Sequence, residues 1–337
     1  MMKLKIAYLL NTFPHRGLYP ADRAKTLLPA LKMEEYKIFV PSSNTSLIQY
    51  LEKEQIKPTL FRNNAHLLEE IKLFNPNCII HDSGNSEKDL IRRLKTINCP
   101  LIHFDDHGDG GMLADLVFQT LYENPKDLSK EHYIYDTIGY IPAHKIAFTK
   151  NHTSHDTPHI VVFYPHEDPE NLTYRTLRHL VQLHIPLRIS VLIDENYKHD
   201  INELKRFALT RKSIQIISTS EPESIIPTSD IVITSGTYMP FLVVQLQIPC
   251  IILCAHEEEV NYAFATEMNG FANLGLGRKI KQSYLQNAVM EIILHENRRN
   301  AYKHKQKHFD FSSNLSTVVE LIEQTIANKK EEEEIAH

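Results

Sequence analysis

The chain has few glycines and cysteines and no tryptophan. Its 337 residues include 10 glycines and four cysteines. Phosphate-binding loops of α/β proteins usually use several glycines, so this scarcity argues against intact glycine-rich loops. No two cysteines form a CxxC pair, and all four lie in or beside apolar segments, which favours buried, reduced thiols. Zinc binding through Cys250 and Cys254 is a weaker alternative, because the residues between them belong to an apolar strand.

Long apolar runs and an excess of positive charge are also missing. No apolar run approaches the roughly 20 residues that a membrane-spanning helix needs, and the first apolar stretch is too short and strand-like for a signal peptide. The formal net charge is −5, with 37 basic and 42 acidic residues. Because the basic residues are dispersed, no positive face would attract DNA or RNA. We therefore expect a cytoplasmic protein with no membrane span and no nucleic-acid partner.

Short apolar segments alternate with helical periodicity along most of the chain. Apolar runs without polar alternation, joined by helices, indicate a parallel sheet buried on both faces. Two such series are present. The first contains KIAYLL, KIFVP, PTLF, CIIH and PLIHF, and the second contains IVVFYP, LRISVLI, IQIIST, DIVITS and CIILCA.

A polar stretch at 149–159 separates the two series and is typical of a linker. The pattern predicts an α/β protein of two tandem, doubly wound, Rossmann-like domains with a cleft between them. We expect the domains to cover 1–150 and 151–330, followed by a solvated acidic tail at 331–337. Within the second domain, helices are predicted from Pro169 to about Leu183, at about 281–295 and at 297–308.

Polar residues follow several predicted strands, which is where open α/β sheets bind ligands. The densest cluster is HFDDHGDGG at 103–111, which contains Asp105, Asp106 and His107. Together with His81 in the preceding HDSG segment, these side chains could converge on a metal ion. Aspartate, histidine and glycine are also ordinary turn-forming residues. We favour this structural interpretation, so no metal is predicted.

A second candidate site follows the strand in DIVITSGTYMPF. Ser235, Gly236 and Thr237 precede a helix that opens near Pro240, so hydroxyls and free amides could hold a diphosphate there. A capped helix start is the alternative interpretation. Three carboxylates at 257–259 would repel a nearby diphosphate. We interpret them as the start of a helix, because EEEVNYAFATEM has helical periodicity.

Taken together, these segments resemble the nucleotide-sugar hydrolases and glycosyltransferase-like proteins of bacterial surface-polysaccharide biosynthesis. This family includes the pseudaminic-acid-pathway UDP-sugar hydrolase and a spore-coat polysaccharide biosynthesis protein. Its landmarks are GxGHxxR, DHYG, IDD, FGGSDP, GxGGST–E and ENQ segments. The corresponding segments here read GLYPADR, HDSG, FDDHGD, FYPHEDPENLTYRTL, TSGTYMPF and AHEEE, in the same order through nearly the whole chain. The resemblance implies the two-domain GT-B fold and a nucleotide-sugar ligand, with no cofactor.

The first landmark is only partly retained. Gly17 and Arg23 match it, whereas Tyr19 replaces its second glycine and Pro20 replaces its histidine. In the hydrolases that histidine is implicated in catalysis, and proline cannot transfer a proton. The role is therefore vacant unless another side chain reaches the same space. The candidates for it are His15, Asp22 and His107.

Other landmarks are retained in part. Asp105 and Asp106 keep the acidic pair, and Gly236 survives in the phosphate loop. Asp168 also survives, and we expect it to cap the helix beginning near Pro169. The two glycines that precede it in the family correspond to Tyr164–Pro165 or to Pro165–His166, depending on alignment.

Three functions follow from these residues. In the first, the chain binds a nucleotide sugar, expected to be UDP-linked, and hydrolyses it or transfers the sugar. The substrate would be bound by Gly17, Arg23, Ser235, Gly236 and Thr237, and catalysis would involve Asp105, Asp106 and His107. In the second, the chain is a non-catalytic binding or scaffolding subunit among polysaccharide-biosynthesis enzymes. The third and least favoured function is metal-dependent hydrolysis at His81, Asp105, Asp106 and His107.

Overall fold

A computed structural model describes residues 4–12, 17–122, 133–142, 157–219 and 221–336. The chain forms two compact units. Unit 1 comprises Met1–Phe13, Leu18–His144 and Phe311–His337, and unit 2 comprises Pro14–Gly17 and Lys145–Asp310. His15 and the predicted linker up to residue 156 lie outside the described residues.

Unit 1 contains a parallel sheet whose apolar strands are buried on both faces. Its strands are β1 (Lys5–Leu10), β2 (Glu35–Pro41), β3 (Thr59–Phe61), β4 (Cys78–Asp82), β5 (Leu101–Phe104), β6 (Leu116–Gln119) and β7 (Tyr133–Tyr135). The accompanying helices are α1 (Tyr19–Ala30), α2 (Thr45–Lys53), α3 (Asn64–Phe74) and α4 (Lys88–Lys95). The strand order β3-β2-β1-β4-β5-β6-β7 reverses between β1 and β4. The first five strands are confirmed, and the sequence pattern does not predict β6 and β7.

Unit 2 repeats the same architecture. Its strands are β8 (His159–Phe163), β9 (Arg188–Ile193), β10 (Ile214–Ser218), β11 (Ile231–Thr234), β12 (Cys250–Cys254) and β13 (Phe271–Leu276). The helices are α5 (Leu172–Leu180), α6 (Ile201–Thr210), α7 (Met239–Leu246), α8 (Gln282–Leu294) and α9 (Glu296–Gln306). The order β10-β9-β8-β11-β12-β13 reverses between β8 and β11. Both sheets therefore have the Rossmann-like order that the sequence predicts, although β13 is not among the predicted strands.

The C-terminal helix α10 (Asn314–Ala336) belongs to unit 1 rather than to unit 2. Its apolar residues Val318, Ile322 and Ile326 recur at four-residue spacing and are buried in the unit 1 core. The predicted boundary at residue 330 therefore differs from the division in the structure. The segment at 331–336, expected to be a frayed tail, continues the helix. Among the described helices, none is both long and apolar enough to cross a membrane.

The predicted helix at 257–268 is wrong. Two short 3₁₀ helices form instead, at Glu258–Asn261 and at Glu267–Asn269. Tyr262, Phe264 and Ala265 are buried, and the Phe264 ring stacks on Phe241 with 3.9 Å between centroids. These aromatic contacts, together with the inward turn of the Glu259 carboxylate described below, favour an irregular path over a continued helix. The predicted helices near 281–295 and 297–308 are confirmed as α8 and α9.

Candidate functional site

Arg23 lies in the core of unit 1, where its side chain is fully buried. Its Nε and Nη2 atoms donate to the two carboxylate oxygens of Asp82, both at 2.8 Å. Nη1 and Nη2 each donate to Oδ2 of Asp105 at 3.0 Å. Arg23 was expected to face a substrate diphosphate, whereas the structure commits it to two internal carboxylates. Buried guanidinium groups require such partners, because a buried charge without one is costly.

Asp105 completes this buried network from the end of β5. Its Oδ1 accepts hydrogen bonds from the Thr120 amide at 2.8 Å and the Thr120 hydroxyl at 2.6 Å. The backbone of Asp105 has a φ of +49°, in the left-handed region that aspartate tolerates better than most residues. The predicted catalytic carboxylate therefore joins the ends of strands β5 and β6 to α1.

Asp106 is also buried but belongs to a separate set of contacts. Its Oδ1 accepts from the amides of Ser86 and Gly108, both at 2.9 Å. Its Oδ2 lies 2.6 Å from Nδ1 of His103 and accepts the Ser86 hydroxyl at 2.5 Å. Burial alone would raise the pKa of Asp106, but the hydrogen bonds from His103 and Ser86 hold that pKa well below its usual range. Asp106 is thus an ionised, fixed acceptor.

The remaining predicted residues near unit 1 differ in exposure. His107 is exposed, and its ring stacks on Tyr122 with 4.7 Å between centroids. Gly17 has a φ of +60°, a conformation that favours glycine. It is grouped with unit 2. The structure therefore brings together Arg23, Asp105 and Asp82, and it leaves His107 outside that network.

The predicted phosphate loop occupies the topological switch point of unit 2. Ser235, Gly236 and Thr237 directly follow β11, one of the two strands between which the sheet order reverses. Ligands of open α/β sheets bind in the crevice beyond the strand ends at such a point. Ser235 and Thr237 are each 5% exposed, and α7 begins two residues after Thr237.

Glu259 turns its buried carboxylate towards this loop. Its Oε2 accepts hydrogen bonds from the amide of Gly236 at 2.9 Å and from that of Ala255 at 3.0 Å. The Gly236 amide is therefore engaged, contrary to the expectation of free amides. Glu259 holds the ends of β11 and β12 together, a role that the helical interpretation of 257–259 misses.

Gly236 itself is not required by the fold. Its φ is not positive, and a Cβ atom placed on it would meet its nearest neighbours at 3.5 Å or more, which is ordinary contact. Glycine is used elsewhere where a ligand approaches the backbone closely. Gly236 thus lies at the switch point although a methyl group would fit there, in ordinary contact with Glu259, Ile252 and Cys254.

Two capping carboxylates lie at the same sheet edge, Asp168 in the loop after β8 and Asp194 after β9. Asp168 accepts the amides of Leu172 and Thr173, both at 2.8 Å, so its predicted role as a helix cap is confirmed. Asp194, which follows β9, accepts the amides of His166 and Asn196. Burial raises the pKa of Asp194 to about 6, and these amide donors oppose the rise without cancelling it.

The backbone of His166, in the loop after β8, has a φ of +69°, in the left-handed region that favours glycine. Strained backbone of this kind often accompanies functional loops.

Arg278 is a cation at this edge that the sequence analysis did not single out. Its Nη2 donates to Glu257 at 2.7 Å, and its Nη1 lies 3.5 Å from a carboxylate oxygen of Glu170. Lys279 also approaches Glu257, at 3.8 Å. These contacts offset part of the negative charge at 257–259. The only sequence signal for Arg278 is its position just after an apolar strand.

Solved structures share this fold. MurG of Acinetobacter baumannii matches with a TM-score of 0.71 at 11% identity, covering 96% of this chain and 100% of that chain. The UDP-GlcNAc 2-epimerase of Neisseria meningitidis bound to UDP-GlcNAc matches with a TM-score of 0.60 at 11% identity, covering 96% of this chain and 100% of that chain. The chain therefore has the GT-B fold of glycosyltransferases and epimerases, as the resemblance implied.

Sequence comparison is less informative. The uncharacterized protein MJ1062 of Methanocaldococcus jannaschii is 23% identical over 272 residues, which are 75% of this chain and 56% of MJ1062. The chain thus spans about half the length of the curated relative it matches. No family model matches the chain. The nucleotide-sugar hydrolase and spore-coat family that its motifs resemble stays a prediction.

Replacing Arg23 tests whether it is structural. Arg23→Ala should lower the free energy of unfolding by about 3–5 kcal/mol, because it leaves two buried carboxylates without their cation. Arg92→Ala is the control, since Arg92 forms an exposed pair with Asp89, and it should cost less than about 1 kcal/mol. Urea denaturation of both variants measures the difference. Equal costs would contradict the structural role.

Replacing Glu259 tests the second carboxylate anchor. Glu259→Ala should cost roughly 2–4 kcal/mol, because the buried amide of Gly236 and the part-buried amide of Ala255 lose their acceptor. Glu257→Ala, in the same loop but exposed, should cost less than about 1 kcal/mol. The measurement is again the free energy of unfolding in urea. A Glu259→Ala variant as stable as Glu257→Ala would show that the amides do not depend on this carboxylate.

Asp194 should make stability depend on pH. Its folded-state pKa of about 6 exceeds the value of about 3.9 expected in the unfolded chain. The folded state therefore holds a proton that the unfolded state has lost, and its contribution to stability falls as pH rises from about 4 to about 6. Relative to the wild type, Asp194→Asn should gain up to about 2 kcal/mol between pH 4 and pH 7. Urea denaturation across this range checks it, and a pH-independent difference would contradict it.

Proposed function

We propose that this protein binds a nucleotide sugar through the Ser235–Thr237 loop of unit 2. The observation that carries the proposal is Gly236, which lies at the switch point of a Rossmann-like sheet although the fold does not require glycine there. A diphosphate can approach such a backbone closely, beside the N-terminus of α7. The UDP-GlcNAc bound to the similarly folded Neisseria epimerase supports a UDP-linked sugar as the ligand.

The electrostatics of this edge are compatible with an anion. The carboxylate of Glu259 is directed to two amides, and Glu257 is paired with Arg278 and Lys279. Neither carboxylate is left without partners beside the loop. Arg278 could exchange its exposed contact with Glu257 for a phosphate oxygen, because guanidinium groups bind both anions.

The residues of unit 1 support a protein that binds a nucleotide sugar but does not use Asp105 or Asp106 for catalysis. Asp105 and Asp106 are buried and accept internal hydrogen bonds, and Pro20 replaces the family's histidine. We therefore favour a binding or scaffolding subunit of surface or spore-coat polysaccharide biosynthesis over a hydrolase or transferase that uses these aspartates. Its proposed partners are other enzymes of that biosynthesis, and the cytoplasmic location inferred from the sequence is part of the proposal.

Calorimetric titration with UDP tests the binding site. The wild type should bind UDP saturably, and Gly236→Ala should weaken binding about tenfold or more, equivalent to about 1.4 kcal/mol, because a side chain hinders close approach of a phosphate to the backbone. Its unfolding midpoint should stay near that of the wild type, because the added methyl group makes only ordinary contacts. Ser213→Ala is the control, since Ser213 precedes β10 at the opposite edge of the sheet.

Two results would count against the proposal. Absence of UDP binding by the folded wild type would remove the proposed ligand. Equal affinity of the wild type and Gly236→Ala would place the ligand elsewhere. Incubation with UDP-GlcNAc, followed by measurement of released UDP, separates the two forms of the function. If the wild type and Asp106→Asn both release UDP, the protein is an enzyme that does not use this aspartate.

A further inference from the structure

Two buried histidines meet in unit 1 at a place that the proposed nucleotide site does not use. His81 and His103 lie on the neighbouring strands β4 and β5 and are register partners, so their side chains project from the same face of the sheet. Their rings stack with 4.6 Å between centroids and an interplanar angle of 28°. His81 is 3% exposed and His103 is fully buried.

Asp106 brings a carboxylate to the same point. Its Oδ2 lies 2.6 Å from Nδ1 of His103 and 3.9 Å from Nδ1 of His81. One donor atom from each of the three residues lies within 4.8 Å of the other two. Two imidazole nitrogens and one carboxylate oxygen are a common ligand set for zinc.

We propose that His81, His103 and Asp106 form a binding site for a divalent zinc ion within unit 1. A tetrahedral ion with bonds of about 2.1 Å places its ligand atoms about 3.4 Å apart. The two nitrogen–oxygen distances of 2.6 and 3.9 Å lie on either side of that value. A small movement of the Asp106 carboxylate or the two rings would equalise them. The ion replaces the proton between His103 and Asp106, which passes to solvent, and a water molecule supplies the fourth ligand.

The carboxylate is already held as a ligand must be. The amides of Ser86 and Gly108 donate to its Oδ1, and the Ser86 hydroxyl donates to its Oδ2. Such outer contacts orient metal-binding carboxylates and tune their affinity.

These three ligands differ from the metal ligands that the sequence pattern offers. The pattern groups Asp105 and His107 with His81 and Asp106. The structure directs Asp105 to Arg23 and leaves His107 exposed. His103 takes their place, because its side chain lies on the same face of the sheet as that of His81.

Cobalt binding tests the site directly. The full-length protein is incubated with Co²⁺, separated from unbound ion by gel filtration, and examined by visible absorption spectroscopy and elemental analysis. We expect one cobalt per chain with the intense visible bands of a tetrahedral ion, displaced by added Zn²⁺. Because the chain contains 19 histidines, weak surface binding must be separated by variants.

The variants form a graded series. His103→Gln and His81→Gln should each weaken Zn²⁺ binding by at least about 100-fold, because losing a ligand costs more than losing an outer contact. Ser86→Ala should weaken it about tenfold, as a positioning residue would. His66→Ala, which removes a histidine from the surface of α3, should leave it unchanged. Circular dichroism without metal checks that each variant is folded.

Either of two outcomes would overturn the proposal. The first is a folded wild type that retains no cobalt and whose unfolding midpoint is not raised by Zn²⁺, in which case a proton alone occupies this position. The second is binding that persists in folded His81→Gln and His103→Gln. If neither histidine variant folds, the Zn²⁺ affinity of Ser86→Ala is the test. An affinity equal to that of the wild type would contradict the site.

Discussion

The carboxyl edge of the unit 1 sheet depends on the hydrogen-bonded ion pairs of the Arg23 guanidinium with Asp82 and Asp105. The guanidinium joins α1 to Asp82 at the end of β4 and to Asp105 after β5, and it donates to the carbonyl oxygen of Gly139 at 3.0 Å. Burying two carboxylates without this cation would cost about 3–5 kcal/mol, a large share of the stability of a typical domain. The hydroxyl of Tyr8 adds a donor from β1, at 2.8 Å from Asp82. Several strand ends are therefore fixed by one side chain.

In unit 2, the buried carboxylates at the sheet edge are stabilised by backbone amide donors instead of a guanidinium. Glu259 accepts amides at the ends of β11 and β12, and Asp168 accepts amides at the start of α5. In both units, acidic residues at the carboxyl edge of the sheet stabilise the ends of strands and helices, so their oxygens are engaged in internal contacts. The carboxylates at these strand ends thus meet structural demands, whereas the fold does not demand glycine at position 236.

The sequence predicts the architecture well where apolar runs are continuous. All ten predicted strands form, because segments such as KIAYLL and CIILCA can be buried only in the interior of a parallel sheet. Strands β6, β7 and β13 escape prediction because they are short or carry polar residues and glycine. The structure groups the C-terminal helix α10 with unit 1, whereas its place in the sequence suggests the second domain, because its burial depends on tertiary contacts.

The roles of site residues are harder to predict, since they depend on pairs far apart in the chain. Arg23 lies 59 residues from Asp82 and 82 residues from Asp105, so nothing local marks it as buried. Glu259 is 23 residues from Gly236, and the periodicity of the sequence around it indicates the start of a helix instead. Asp168 was predicted correctly because a cap is a local feature, satisfied four and five residues further on.

Hydrogen exchange of the full-length protein with and without UDP tests the central claim most directly. The claim is that ligand binding belongs to the loop after β11, whereas the acidic residues of unit 1 are structural. UDP should slow amide exchange in peptides covering 234–241 and leave those covering 103–111 unchanged. Protection at 103–111, or none anywhere at saturating UDP, would contradict this account.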